Sequence, residues 1–232
     1  HDEARARILF VHGGAEHAGR YGFPTAYLAP LGYDCYAMDL RGHGHAAGVR
    51  GYIDTFDQYL QDVQAGLDHV TTRTDGADRP TVLIGHSMGG LVITRYVQTR
   101  PVPDHVVGFA ISSPFFGLAM EVPAVKRALG TLMSRIWPSL ALDAALDPTQ
   151  LTKDEDVIRV RDEDPLVFHK ACSRWFTEVM SAQDQALAEA ARLHMPALVM
   201  HGADDGIANP GVTQDFYDRL GAEAKALKLY DN

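Results

Sequence analysis

At 232 residues the chain is long enough to bury a substantial core, and one α/β domain with an insertion is the first expectation. Apolar residues make up 46% and charged residues 22%, close to the average of folded globular chains, with no excess of Pro, Ser or Gln, which excludes a disordered protein. The formal charge is −9, with no basic cluster, so nucleic acid is not an expected partner and strong electrostatic docking on anionic lipid is disfavoured.

Residues 8–12 and 33–38 are short apolar runs, and most such runs here are continuous rather than alternating, as in strands buried on both faces of a parallel sheet. Phe56, Tyr59, Leu60, Val63, Leu67 and Val70 then fall on one stripe of a helix. Residues 81–85 predict a third strand, Met88, Leu91, Val92 and Tyr96 a second helix, and residues 106–112 a fourth strand.

From about Gly117 to Ala190 no convincing buried strand appears, a stretch too long for a simple loop. Its Val125, Leu129, Leu132, Met133, Ile136, Trp137 and Leu140 recur at helical spacing, predicting a helical cap. Strands at 197–201 and 226–230 follow. The alternation predicts a mostly parallel, doubly wound α/β sheet, with residues 1–116 and 191–232 as core and 117–190 as the inserted cap.

Cys35 and Cys172 stand in unlike contexts, predicting two ordinary buried thiols rather than a disulfide. No run approaches the roughly 20 apolar residues of a membrane span. The sequence begins HDEARARILF, without Met and almost directly on a strand, so it reads as trimmed. A cytoplasmic or peripheral membrane location is expected.

The run TVLIGHSMGG places Gly85, Ser87 and Gly89 in a G-x-S-x-G pattern, directly after a strand and before a helix. That is the context a nucleophile elbow needs: glycines leave room for a sharp turn, which projects the serine hydroxyl above the sheet. Ser87 also sits at a helix N-terminus, where free N–H groups favour developing negative charge. Met88 is expected to offer its amide to an oxyanion hole, and the His12-Gly13-Gly14 turn after the first strand a second amide, assigned to Gly14. Two such donors suit acyl transfer through a tetrahedral intermediate. His43 and His45 form an H-x-H pair near Asp39, but no second cluster completes a metal site, so neither metal nor cofactor is expected.

The motifs together carry a resemblance. His12-Gly13-Gly14-Ala15-Glu16-His17 with Gly19-Arg20-Tyr21, Asp39-Leu40-Arg41-Gly42-His43-Gly44, Gly85 to Gly90, Ser113-Pro114, Asp164-Pro165-Leu166, and His201-Gly202 with Asp205 fall in one order along nearly the whole chain. In this the chain resembles the monoglyceride lipase and lysophospholipase group of α/β-hydrolases. The resemblance implies a serine hydrolase acting on a small lipid ester beneath a helical cap that forms an acyl tunnel. It also implies that Glu16 and His17 support the oxyanion turn, and it leaves open transient contact of the cap with a membrane or micelle.

A serine nucleophile needs a base and an acid, in the chain order Ser, Asp or Glu, His. The acid should lie in the turn after the strand at 197–201. There the family spacing selects Asp205, with Asp204 as the alternative. The family's histidine is expected about three positions beyond Asn232, where this sequence has no residue; internal substitutes such as His201, His169, His194, His43 and His45 precede the acid. A carboxylesterase or acyltransferase acting on a non-lipid ester is the rival reading. A ligand-binding protein of this fold without turnover is another, should the chain lack the histidine.

Overall fold

The computed structural model describes residues 5–72, 79–120, 123–143 and 148–231. Strand β1 (Ala6–Val11) is followed by α1 (Gly22–Leu28) and β2 (Tyr33–Met38), then α2 (Asp57–Thr72), β3 (Thr81–His86), α3 (Met88–Thr99) and β4 (Val106–Ser112). Between β4 and the next sheet strand lie α4 (Ala124–Ile136), β5 (Ala141–Asp143), α5 (Glu155–Asp162), β6 (Lys170–Cys172) and α6 (Ser173–Ala188). Strand β7 (Ala197–Gly202), α7 (Pro210–Arg219) and β8 (Lys225–Tyr230) complete the order.

Six strands form one sheet in the order β2-β1-β3-β4-β7-β8. Every pairing within it is parallel, with Ile8 opposite Cys35 on one side and Val82 on the other. Parallel strands need crossover connections, and α1, α2, α3, the segment from α4 to α6, and α7 supply them in turn. The chain therefore has the mostly parallel, doubly wound α/β fold that its alternation predicts.

The core follows from the apolar periodicity. All six residues of β1 are buried, and α2 buries Tyr59, Leu60, Val63, Leu67 and Val70, the stripe predicted for it. Helix α3 is buried on all sides from Met88 to Tyr96, as a helix flanked by sheet and helices must be. Truncating one of its fully buried residues, such as Leu91, should cost about 2–5 kcal/mol.

The end strands depart from the expectation of burial on both faces. β2 is mostly half-buried and β8 largely exposed, because each has a strand partner on only one side among the described residues. This corrects the reading of Cys35, which is half-buried on β2, whereas Cys172 is buried as expected.

Helix α4 holds a second surprise. Its stripe Val125, Leu129, Leu132 and Ile136, with Trp137, faces outward. The helix rests on α6 through small and polar residues instead: Gly130 lies near Phe176, and the Ser134 hydroxyl meets Thr177 Oγ1 at 2.8 Å. Helix α6 buries Val179, Ala182 and Ala186 in the same core as α3. The short antiparallel β5–β6 pair, three residues on each side, has too little pattern to be read from sequence. No helix among the described residues is long and apolar enough to cross a membrane.

Candidate active site

Ser87 stands between β3 and α3 with φ 50° and ψ −118°, a left-handed backbone that a residue with a Cβ adopts only when its surroundings enforce it. The enforcement is visible in its hydrogen bonds. Its amide donates to Ser112 O at 2.9 Å, and its carbonyl accepts from Gly90 N and Phe115 N, each at 3.0 Å. A Cβ on Gly89 would overlap the carbonyl oxygens of Val11 and His12, so only glycine lets α3 approach β1 this closely.

The turn after β1 is braced from inside. Gly13 N donates to Glu16 Oε1 at 2.6 Å, the Tyr21 hydroxyl donates to the same oxygen at 3.0 Å, and Arg20 Nε lies 3.4 Å from Glu16 Oε2. Burial, then the Glu16 charge, pushes the Tyr21 phenol well above its ordinary range, so it remains a donor. His12 accepts from Leu40 N–H through Nε2 at 3.0 Å and donates from Nδ1 to Gly13 O at 2.7 Å. Both ring nitrogens serve the neutral form, and burial pushes this histidine down. Among the described residues, no hydrogen-bond partner is found for the amide of Gly14 or of Met88. Both residues line the cavity that Ser87 lines.

His17 continues the brace across the fold. Its Nδ1 accepts from Gly19 N at 3.1 Å, and its Nε2–H donates to Asp164 Oδ2 at 2.7 Å, joining positions 147 residues apart in sequence. Phe168 N adds a weaker bond to Ala15 O at 3.4 Å. The segment after α5 is thereby tied to the turn after β1.

Asp205 follows β7. Its Oδ1 accepts from Ile207 N and Ala208 N, each at 2.9 Å, and its Oδ2 lies 3.2 Å from His201 Nε2. Burial works to raise this carboxyl, but the bonds from His201, Ile207 and Ala208 outweigh it and hold the group below the usual carboxylate range. Asp204 is exposed beside it. His201, which sequence reasoning treats as a packing residue, is tied to Asp205: its Nδ1 accepts from Thr213 Oγ1 at 2.9 Å, which leaves the proton on Nε2 facing Asp205. The only signal for this in the sequence is the four-residue spacing of His201 and Asp205. Tyr230, the last residue of β8, pairs with Gly202, and Ala203 N donates to Tyr230 O at 2.9 Å. The end of β8 thus lies beside the turn that carries Asp205.

The other histidines separate. His43 is buried against His12, Phe168 and Tyr59, donates from Nδ1 to Arg41 O at 3.1 Å, and is pushed by burial down to about 3. His45 is exposed, and its amide, with that of Ala18, donates to the Asp39 carboxylate. The H-x-H pair therefore does not converge. Among the described residues no group of three or more His, Cys, Asp or Glu could hold a metal. His86 and His169 line the Ser87 cavity together with His43, and His86 Nδ1 lies 3.1 Å from Ser112 O.

The cavity has a volume of about 530 Å³. Phe115, Leu118, Phe168, Trp175 and Ile207 give it apolar walls, and Leu151 and Val157 come from the segment around α5. The Trp175 indole is fixed by donating to Tyr59 OH at 3.1 Å. Asp205 itself does not line the cavity; its turn reaches there through Ile207.

A parallel sheet carrying a strained serine between a strand and a helix, with a braced glycine turn opposite, defines an α/β-hydrolase. The chain belongs to the Hydrolase_4 family, described as serine aminopeptidase, S33, which matches residues 2–232. It is similar to phospholipase YtpA of Bacillus subtilis, 31% identical over 231 residues, covering 99% of this chain and 87% of that protein. An abhydrolase domain-containing protein of Dictyostelium discoideum is 32% identical over 98% of this chain, which spans only 24% of that protein's length. Among solved structures, the monoacylglycerol lipase of Paleococcus ferrophilus superposes with a TM-score of 0.88 at 30% identity, covering 98% of this chain and 85% of that one. The chain is a serine hydrolase of the α/β-hydrolase family, an ester hydrolase of the lipase or esterase type.

Proposed function

We propose that this protein cleaves the ester of a monoacyl lipid, a monoacylglycerol or a lysophospholipid, through an acyl-enzyme on Ser87. The observation that carries the reading is the strained Ser87 elbow facing an apolar-walled cavity of about 530 Å³, a volume suited to a small lipid. The named activities of the Bacillus subtilis phospholipase and the Paleococcus ferrophilus monoacylglycerol lipase support the same substrate class.

In this reading Ser87 Oγ attacks the ester carbonyl, and its proton passes through a histidine to the leaving alcohol. The amides of Gly14 and Met88, both without a partner among the described residues, hold the oxyanion. Asp205, kept ionised, orients the histidine and stabilises its charged form. We assign that histidine to chain following Asn232, which would continue from β8 beside the acid's turn. Water then attacks the acyl-enzyme and releases the fatty acid. Residues 117–190 are taken as a cap over the cavity, with α6 as its footing in the core, and the outward stripe of α4 is the surface we expect to touch a membrane or micelle transiently.

The test is an acyl-length series of p-nitrophenyl and glycerol esters with the full-length protein and its Ser87→Ala variant. Medium and long acyl chains should turn over faster than acetyl, and the variant should lose at least about 10³-fold in kcat. Turnover retained by the variant removes Ser87 from the mechanism; a preference for acetyl removes the lipid substrate.

A further inference from the structure

We propose that the Ser87 cavity contains a subsite for a phosphate-bearing head group, built on Arg161 with Lys170, so that an anionic lysophospholipid is preferred over a neutral monoacylglycerol. The inference rests on the ester-hydrolase reading above and names its substrate.

Helix α5 is charged on nearly every side, and its outer residues lie in water: Asp156 is 87% and Arg159 59% exposed. Arg161 is different. Its side chain is only 11% exposed, and it lines the cavity together with Val157, one turn earlier on the same face. Most of its side chain is covered, yet none of its nitrogens is among the buried unpartnered atoms, so the guanidinium, with five N–H donors, stays open to the cavity. Among the described residues its one side-chain partner is the adjacent Asp162, at 3.1 Å and itself half-exposed.

The other charges of the wall do not compensate. The charged lining residues described are Glu16, Arg20, Arg161 and Lys170. Glu16 is engaged by Arg20, by the Gly13 amide and by the Tyr21 hydroxyl, which leaves Arg161 and Lys170 facing no carboxylate in the lining. Among the described charged lining residues the basic side chains Arg20, Arg161 and Lys170 outnumber the single carboxylate, Glu16. A neutral glycerol head group gains little from such a wall. A phosphate gains a paired fork from Arg161 and a point charge from Lys170.

The experiment compares kcat/KM for 1-acyl-lysophosphatidylglycerol and 1-monoacylglycerol of the same acyl chain, in neutral mixed micelles, using the full-length protein. Arg161→Met should lower the anionic-to-neutral ratio by at least about 10-fold, chiefly through KM, as loss of a charge-assisted pair requires. Arg161→Lys should restore part of the ratio, and Lys170→Met, at an exposed position, should lower it less. Arg159→Met, on the outer face of the same helix, should leave it unmoved. Competition separates the source of the phosphate: stronger inhibition by glycerol 3-phosphate than by inorganic phosphate assigns the site to a head group, equal inhibition to phosphate itself, and both uphold it. An unchanged ratio in folded Arg161→Met and Lys170→Met overturns the subsite. An unchanged ratio with Ser87→Ala inactive overturns the subsite alone, whereas turnover retained by Ser87→Ala overturns the hydrolase reading beneath it.

Discussion

Gly14 lines the Ser87 cavity, Gly89 packs against β1, and the two bear opposite constraints. A Cβ on Gly89 would run into the backbone of β1, which cannot move without shifting the sheet. A Cβ on Gly14 would meet Trp175 and Met88 at ordinary contact distances of 3.8–4.0 Å. Gly89→Ala should therefore destabilise the protein by about 3 kcal/mol or more, and Gly14→Ala by no more than about 1 kcal/mol. Urea unfolding of the two variants checks this; equal losses would mean that β1 yields more easily than its packing implies. At this scale much was legible in sequence, because G-x-S-x-G between a strand and a helix has few other meanings. His201 was not, since nothing local distinguishes a histidine that packs from one that holds a carboxylate.

At the scale of elements, the tie between the turn after β1 and the segment after α5 rests on His17 and Asp164. Asp164 also accepts from Leu166 N at 2.9 Å, so it closes its own turn while holding His17. Its hydrogen bond from His17 keeps its carboxyl below the usual range. Asp164→Ala should cost about 1.5–3 kcal/mol, the range for hydrogen bonds to a charged group. The expected result is a lower urea midpoint with an unchanged slope; a changed slope would show that the variant alters compactness instead. Strand and helix positions were largely readable, because apolar periodicity is local. The outward turn of the α4 stripe was not: the same spacing suits a helix facing a core or facing solvent, and here Gly130 and Ser134 settle the matter by fitting against α6.

Across the whole molecule, pH acts through buried groups. His12 and His43 are held neutral by burial, His43 down to about 3 against an ordinary 6.5. When the chain unfolds they regain the ordinary value and take up protons, so their contribution is complete above pH 6.5 and is lost as pH falls toward the folded value. Asp39, Asp164 and Asp205 lie below their ordinary 3.8, so their contributions are complete above that pH and disappear at still lower values. Unfolding free energy should therefore decline between pH 7 and pH 4, before the carboxylates matter, by up to about 1.4 kcal/mol per pH unit for each histidine. His43→Gln should be less stable at pH 7 yet show a shallower decline. An unchanged slope in urea titrations across that range would remove His43 as a contributor.

The alternation of strands and helices, the serine between a strand and a helix, and the glycine turn after β1 were legible without the fold, because each is a short pattern whose physics is local. Tertiary structure decided what those patterns meet. It joined His17 to Asp164 and His201 to Asp205, turned the α4 stripe to solvent, left β2 and β8 at the sheet's edges, and placed Arg161 in the wall of the Ser87 cavity. The physical reason is that a periodicity specifies a face, whereas burial and pairing depend on partners that only the folded chain brings near.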